Sequence, residues 1–347
     1  MSTQPHVRFR SIAVALFVAA STQCCASEPP RPPARHTVSS AVVEPADPLP
    51  SWVDGPTKRS IIDFVARTSH GADVVAPEER IAVFDNDGTL WQEKPLAEGQ
   101  FALSRLQTMA RLDPTMRDRQ PFKAALDQDV QDLHRQGPQA LLEILELTHT
   151  GMTDGAYRDA VRSFLETARH PKFERPYTAL TYAPMMELLT LLRANGYTTY
   201  LCSGGDVDFM RAFSREVYDI PIEHVIGSRF KKELTTAGGQ TALSRKPEVE
   251  FVNDKDAKAV GIDRQIGRRP LFAAGNIGAG GDIAMLHWTR DRGPISFGMV
   301  INHDDAEREH KYEEKDGATE RAAREFGFTV VSMRRDWRVV FRGGPSR

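Results

Sequence analysis

Residues 81–90 read IAVFDNDGTL, in which four apolar residues lead directly into two aspartates that are spaced by one residue. A short apolar run that ends at turn residues is typical of a buried strand in a parallel sheet. Ligands of open α/β sheets bind just beyond the carboxyl ends of such strands. Asp85 and Asp87 stand two apart on an extended segment, so their side chains point the same way and can act together. The alternative is a turn that uses Asp, Asn and Gly for main-chain reasons alone.

Composition and charge narrow the class of protein. The chain has 347 residues, of which 40% are hydrophobic and 27% charged, as is typical of a globular protein with one large or two medium domains. The formal net charge of −2 provides no basic surface for nucleic acid, so that partner is not expected. Beyond the N-terminus, no apolar run approaches the length that a membrane span needs.

The N-terminus has the layout of a secretory signal peptide. Arg8 and Arg10 precede an apolar run at 12–20, which is too short for a spanning helix, and small and polar residues follow. We predict a signal peptide at 1–26, with cleavage after Ala26, and hence an exported protein that is periplasmic or secreted.

A lipid anchor is the alternative form of export. Cleavage before Cys24 or Cys25 would leave a lipid-modified cysteine and produce a lipoprotein. In either case residues 27–50, which are rich in proline, alanine and serine, have little to bury and are predicted to form a flexible linker.

The rest of the chain alternates between strand and helix signals, with one interruption. Residues 95–172 show only helical periodicity, which predicts an all-helical insertion after the first strand. The flanking parts, 51–94 and 173–347, then form an α/β core with a Rossmann-like parallel sheet. A polar hairpin is predicted at 231–251. The strand signals lie at 81–85, 198–202, 225–227, 271–274, 295–301, 328–333 and 337–341.

Three of these strands end in small polar clusters that would meet at one edge of the sheet. They are the pair Asp85 and Asp87, the run that begins with Ser203 and Gly204, and the glycine-rich segment from Gly275 to Asp282. Lys258 lies between the second and the third. The polar patches at 303–305 and 334–336 are explained as solvated turns.

This arrangement resembles the haloacid dehalogenase superfamily, specifically its phosphatases of the phosphoserine phosphatase type. Residues 85–89 match the first motif of that superfamily, Asp-x-Asp-Gly-Thr, completely and in the right strand context. Ser203 matches the second motif, Lys258 fits the third, and the segment that runs from Gly275 to Asp282 resembles the fourth. The helical insertion at 95–172 corresponds to the cap domain that many members place between the first two motifs.

The resemblance implies a role for each of the matched catalytic residues. Asp85 would be the nucleophile that forms an aspartyl-phosphate, and Asp87 would protonate the leaving group and then activate water. Ser203 would bind phosphate oxygens, and Lys258 would offset negative charge. Lys246 and Lys255 remain alternatives for the third motif.

The same resemblance implies a phosphate site and a Mg²⁺ site. Gly88, Thr89, Ser203 and Gly204 would surround the phosphate. Mg²⁺ would bind Asp85, the main-chain carbonyl of Asp87 and a residue of the fourth motif. Many relatives have an aspartate directly after the first glycine of that motif, where this chain has Asn276, and the segment is longer than usual. Either Asn276 or Asp282 therefore provides the remaining metal ligand.

Asp87 distinguishes the activities of the superfamily. A dehalogenase expels halide, which needs no proton, and typically lacks an acid at this position. The resemblance therefore favours hydrolysis of a small phosphomonoester, phosphoserine-like or of broad specificity. Two alternatives remain: a phosphoryl mutase, and a non-catalytic exported binding protein that keeps the fold but has lost turnover through its altered fourth motif.

Overall fold

The strand that carries the aspartate pair lies in the middle of a sheet. The computed structural model describes residues 47–278 and 280–344, and within these residues seven strands form one sheet in the order β4-β3-β2-β1-β5-β6-β7. All neighbouring strands are parallel except β3 and β4. The predicted α/β fold with a parallel core is thereby confirmed. The strands are β1 (Ile81–Phe84), β2 (Thr198–Asp206), β3 (Val225–Ala237), β4 (Gln240–Phe251), β5 (Phe272–Asn276), β6 (Phe297–Asn302) and β7 (Thr329–Ser332).

Helices precede, interrupt and connect these strands. Five of the described helices, α2 to α6, lie within residues 95–172, where the sequence predicts an all-helical insertion, and α7 follows them before β2. The helices are α1 (Pro56–His70), α2 (Ala97–Leu112), α3 (Phe122–Leu126), α4 (Val130–Gln136), α5 (Pro138–His149), α6 (Asp154–Thr167), α7 (Ala183–Ala194), α8 (Val207–Arg211), α9 (Ser214–Tyr218), α10 (Asp256–Ile266), α11 (Ile283–Arg290), α12 (Ala318–Phe326) and α13 (Met333–Asp336).

Local sequence explains where several elements begin. All four residues of β1 are buried, as expected for a strand with neighbours on both sides. Thr153 caps α6 by accepting a hydrogen bond from the N–H of Ala156, and Asp206 caps α8 by accepting from the N–H groups of Asp208 and Phe209. Both residues are of the types that are favoured at the N-cap of a helix.

The hairpin formed by β3 and β4 joins the sheet to the helical insertion. The short strand predicted at 225–227 continues to Ala237, and the predicted polar hairpin is its extension. The main chain of Arg245 on β4 bonds to the loop between α5 and α6, because its N–H donates to Met152 O and its carbonyl accepts from Gly151 N. The hairpin is therefore hydrogen-bonded to the insertion as well as to β2.

The prediction of a strand at 337–341 is wrong. Trp337 and Phe341 form only isolated bridges, to Trp52 and Tyr182 respectively. Trp337 is fully buried, with its ring edge-on to Trp52 at 6.0 Å between centroids. These apolar residues fill the core beside the N-terminal segment instead of extending the sheet.

The N-terminal boundary also differs from the sequence expectation. Leu49 is fully buried and Lys58 Nζ lies 2.5 Å from the carboxylate of Asp47, so residues 47–50 are packed and do not belong to the linker. The predicted signal peptide, Cys24, Cys25 and the rest of the linker lie outside the described residues. Within the described part of the chain, every helix is too short or too polar to cross a membrane.

Candidate active site

Asp85 and Asp282 share one buried ammonium group. Asp85 directly follows β1, and its main-chain N–H donates to Ala274 O on β5 at 2.9 Å. Nζ of Lys258, on α10, lies 2.6 Å from Oδ1 of Asp85 and 2.5 Å from Oδ1 of Asp282. All three side chains are buried. The side chain of Lys258, the residue matched to the third motif, thus contacts one carboxylate of the first motif and one of the fourth.

The other two candidate lysines lie elsewhere. Lys246 is on the hairpin, where it pairs with Glu233 and is 41% exposed. Lys255 is exposed and adopts the left-handed φ of 53° just before α10 begins. Among the three, Lys258 is the one whose ammonium contacts Asp85.

Burial and neighbouring charges shift the proton affinities of this cluster. Burial raises the pKa of Asp85 to about 8, Asp282 adds to the rise, and Lys258 opposes it. Burial alone would lower the pKa of Lys258, but the carboxylates of Asp282 and Asp85 hold it well above its usual value. Two carboxylates thus face a single ammonium, and the cluster can accommodate a further positive charge.

The surroundings of Asp87 also raise the affinity of its carboxyl group for a proton. Burial raises the pKa of Asp87 to about 7. The Nε1–H of Trp91 donates to Oδ1 of Asp87 at 2.8 Å and opposes this rise, whereas the carboxylates of Glu98 and Glu93 add to it. A carboxyl group whose pKa lies near neutrality is suited to exchange protons with a substrate. Burial raises the pKa of both aspartates, so the division of roles between Asp85 and Asp87 stays a prediction.

Gly88 and Thr89 shape the loop that follows the aspartates. The hydroxyl of Thr89 donates to Oδ2 of Asp85 at 3.2 Å. Gly88 has φ of +73°, and a Cβ at this position would overlap Nδ2 of Asn276 and lie 2.7 Å from the hydroxyl of Tyr312. These contacts position Asp85 and the loop, and direct phosphate binding by either residue stays a prediction.

Ser203 and Gly204 lie within the end of β2, which continues to Asp206. Ser203 is buried, and its hydroxyl accepts from the N–H of Gly205 at 3.2 Å. Its carbonyl accepts from Nδ2 of Asn253 at 2.8 Å, and the carbonyl of the exposed Gly204 accepts from Ser228. Because β2 is parallel to β1 and paired with it, this segment and Asp85 lie at the same edge of the sheet.

Asn276 and Asp282, both in the segment that resembles the fourth motif, have different surroundings. Oδ2 of Asp282 accepts from the main-chain N–H of Asn276 at 3.0 Å, while its other oxygen faces Lys258. The amide of Asn276 instead donates to the hydroxyl of Tyr312 at 3.1 Å and to Glu93 at 3.3 Å. Asp282 is thus the carboxylate beside Asp85, and Asn276 packs against the loop of Gly88.

The residues present fit a Mg²⁺ ion. The candidate donors are the carboxylates of Asp85 and Asp282, the main-chain carbonyl of Asp87 and the amide oxygen of Asn276, all of them hard oxygen atoms. Among the described residues, no group of three or more His, Cys, Asp or Glu side chains could by itself hold a metal. Mg²⁺ does not require such a cage, because it keeps several waters and commonly uses one or two carboxylates together with substrate phosphate.

The solvated-turn interpretation of His303 is wrong. His303 is fully buried, with Nε2 2.8 Å from the carbonyl oxygen of Gly88 and Nδ1 3.2 Å from Oε2 of the equally buried Glu309. Asp305 and Asp336 are also buried. The usable signal was the position of His303 directly after an apolar strand, β6, at the edge where the other polar strand ends meet.

The helical insertion supplies another group that sequence analysis missed. Glu98, in the first turn of α2, accepts hydrogen bonds from the main-chain N–H of Asp206 at 3.1 and 3.2 Å. Nε2 of His149 on α5 lies 3.3 Å from the same carboxylate. An acidic residue in a first helical turn is usually explained by the helix dipole, so the sequence did not single out Glu98.

The fold is a parallel α/β sheet, and Asp85 and Asp87 follow the carboxyl end of its central strand. Residues 82–285, more than half of the chain, match the family model described as haloacid dehalogenase-like hydrolase. The chain therefore belongs to the haloacid dehalogenase-like hydrolase family, as the resemblance of its motifs predicts.

The chain is similar to several solved structures at low sequence identity. A conserved protein of unknown function from Anaerococcus prevotii DSM 20548 is 15% identical with a TM-score of 0.52, over 79% of this chain and 91% of that chain. A protein of unknown function from Bordetella pertussis Tohama I is 15% identical with a TM-score of 0.48, over 73% and 98%. A phosphoserine phosphohydrolase-like protein from Francisella tularensis is 16% identical with a TM-score of 0.38, over 73% and 94%. No curated protein is significantly similar to the chain.

Proposed function

We propose that this protein is a Mg²⁺-dependent phosphomonoester hydrolase that works through an aspartyl-phosphate on Asp85. The observation that carries the proposal is the position of Lys258 between Asp85 and Asp282, at the carboxyl end of the central strand. The cation holds the nucleophilic carboxylate in place and can offset the charge of a phosphoryl group beside it. The environment of Asp87 favours a phosphatase over a dehalogenase, because an expelled halide needs no proton.

Binding of the phosphoryl group would use the end of β2. In this proposal the hydroxyl of Ser203 donates to a phosphoryl oxygen. The main-chain N–H groups of the following glycines and the ammonium of Lys258 donate to phosphoryl oxygens as well. Such preorganised donors stabilise charge that develops in the transition state. A bound Mg²⁺, held by Asp85, the carbonyl of Asp87 and Asp282 or Asn276, would neutralise phosphoryl charge and orient the group.

The chemistry divides between the two aspartates. An oxygen of the Asp85 carboxylate forms a bond to phosphorus while the bond from phosphorus to the leaving oxygen breaks. Asp87 gives its proton to that oxygen and so becomes a carboxylate. The ionised Asp87 then takes a proton from water, which attacks phosphorus, releases phosphate and restores Asp85.

The proposed substrate class and location follow from the N-terminal pattern. The N-terminal pattern of Arg8, Arg10 and the apolar run at 12–20 supports export, either as a soluble protein or with a lipid anchor at Cys24 or Cys25. An exported hydrolase meets phosphoesters outside the cytoplasm, which favours a small phosphorylated metabolite and broad specificity.

The test is hydrolysis of an aryl phosphate and a panel of phosphorylated metabolites with Mg²⁺, with and without a chelator. We expect Asp85→Asn to abolish turnover, while Lys246→Met, a change at a distant exposed ion pair, leaves it intact. Equal turnover in Asp85→Asn and the wild-type protein would exclude Asp85 as the nucleophile. Binding of phosphate without turnover would favour the non-catalytic alternative.

A further inference from the structure

His303 presents a hydrogen-bond donor to the loop that carries Asp87. The residue follows β6 directly, and its Nε2 lies 2.8 Å from the carbonyl oxygen of Gly88, the residue next to Asp87. A carbonyl oxygen only accepts hydrogen bonds, so Nε2 must carry a proton. This assignment holds whether the Nδ1 proton is present or absent.

Glu309 fixes the orientation of the His303 ring. One of its carboxyl oxygens lies 3.2 Å from Nδ1, and the other accepts from the hydroxyl of Tyr182 at 3.3 Å. Both side chains of the His303–Glu309 pair are completely buried. A carboxyl group that contacts one ring nitrogen orients the imidazole so that the other nitrogen points at its partner.

Tyr312 closes the same segment on the other side. Its ring stacks on His303 with 4.3 Å between centroids, and its main-chain N–H donates to His303 O at 3.2 Å. Its hydroxyl lies 3.1 Å from Nδ2 of Asn276, next to the space in which a side chain on Gly88 would lie. Residues 303–312 thus contact the carbonyl of Gly88 and border the space into which a side chain at Gly88 would point.

The other side of Gly88 is held by the motif loop itself. The N–H of Gly88 donates to Trp91 O at 2.9 Å, and the indole of Trp91 donates to the carboxylate of Asp87 at 2.8 Å. With both its N–H and its carbonyl bonded, Gly88 has little freedom to rotate. The peptide that joins Asp87 to Gly88 contains the carbonyl proposed as a metal ligand, so its orientation affects both proposed functions of Asp87.

We propose that His303, oriented by Glu309, is a positioning residue for Asp87, acting through the hydrogen bond to the carbonyl of Gly88. The expected effect on turnover rests on the proposed phosphatase activity, whereas the expected effect on the loop that carries Asp87 does not. A lost donor would leave a buried carbonyl without a partner and let the loop rotate. Misplaced acid and carbonyl groups would then slow the reaction, most of all for leaving groups that need a proton.

The experiment compares His303→Leu, which removes the donor, with His303→Gln, whose amide can supply a donor near the position of Nε2. Val331→Ala on β7, a buried truncation in the strand that pairs with β6 just before His303, controls for lost stability in this part of the sheet. Turnover is measured with an aryl phosphate, whose leaving oxygen needs little protonation, and with an alkyl phosphate, whose leaving oxygen needs a proton.

We expect His303→Leu to lower kcat for the alkyl ester by about 10²-fold, with little change in KM, because small misplacements cost rate rather than binding. The loss for the aryl ester should be smaller by about tenfold, because proton donation matters less there. His303→Gln should recover most of the difference, and Val331→Ala should lower both rates equally. An unchanged ratio of alkyl to aryl turnover in His303→Leu would overturn the proposed action through Asp87.

Hydrogen exchange of residues 86–92 tests the structural part without any substrate. Exchange should accelerate in His303→Leu, return towards the wild-type rate in His303→Gln, and change in Val331→Ala only as far as global stability changes. If the wild-type protein hydrolyses neither ester, the phosphatase proposal fails, and exchange still decides whether His303 holds the loop. Equal exchange in the wild-type protein and His303→Leu would refute the structural part.

Discussion

The side-chain amide of Asn276 occupies the space in which a side chain on Gly88 would lie, although the two residues belong to different segments of the site. Gly88 also has a φ of +73°, which L-residues other than glycine rarely adopt. Position 88 is therefore restricted twice, by backbone conformation and by space.

Gly88→Ala should destabilise the protein by about 2–5 kcal/mol and strongly reduce turnover, because it combines an unfavourable φ with an overlap. Gly267→Ala is the matched control: Gly267 has a left-handed φ of +68° and ψ of 14°, but nothing lies within 4 Å of an added Cβ. We expect Gly267→Ala to cost only about 1–2 kcal/mol. Urea unfolding of both variants measures the comparison, and equal losses would show that the space near Asn276 adjusts freely.

Lys258→Met should strongly destabilise the protein in the absence of metal. It leaves the carboxylates of Asp85 and Asp282 buried side by side without their cation, and breaking a buried ion pair costs about 3–5 kcal/mol. Lys246→Met removes an exposed pair with Glu233 and should cost less than about 1 kcal/mol. Denaturant unfolding in the presence of a chelator measures the loss of stability in each variant. Similar losses in the two variants would contradict the central role of Lys258.

Arg245→Met should destabilise the protein in a pH-dependent manner. Arg245 is fully buried, pairs with Asp206 and Asp208, and donates to His149 O at 2.6 Å. Burial raises the pKa of Asp206, and Arg245 opposes that rise, so its removal raises the pKa further. A folded-state pKa above the unfolded value favours folding at low pH.

The loss caused by Arg245→Met should therefore be small in acid and should grow as the pH rises towards neutrality. Unfolding free energies at several pH values provide the measurement. Arg162→Met, at an exposed pair with Asp159, is the control and should show no such trend. A loss that stays constant with pH would mean that Asp206 remains ionised without Arg245.

Asp282→Asn and Asn276→Ala should differ in their effect on Mg²⁺ binding. The carboxylate of Asp282 lies beside Asp85, whereas the amide of Asn276 donates to Tyr312 and Glu93. We expect Asp282→Asn to weaken Mg²⁺ binding by about 10–100-fold and Asn276→Ala to weaken it less. Calorimetric titration with MgCl₂ distinguishes them without a substrate. If neither changes the affinity, the segment from Gly275 to Asp282 does not hold the metal.

Local patterns predicted the central strand and the alternation of strands and helices. These features depend on residues that are close in the sequence, so periodicity and turn chemistry are enough to find them. The spacing of motifs also led to Lys258, but its choice over Lys246 and Lys255 needed the fold, because 173 positions separate it from Asp85.

Long-range packing explains what the sequence did not reveal. His303 lies in a short polar patch that is typical of a solvated turn, and its burial follows only from the packing of residues 303–312 against Gly88. Trp337 lies in an apolar run that is typical of a strand, and it fills the core beside Trp52 instead. In both cases tertiary contacts override the local preference.

The main-chain bonds between Arg245 and residues 151–152 have a mechanical consequence. They connect the hairpin to the loop between α5 and α6, and the side chain of Arg245 also pairs with Asp206, whose main-chain N–H donates to Glu98 on α2. A movement of these helices away from the sheet would have to break these bonds or carry the hairpin with it. Movement of the helices is thereby coupled to bending of β3 and β4 where they leave the sheet.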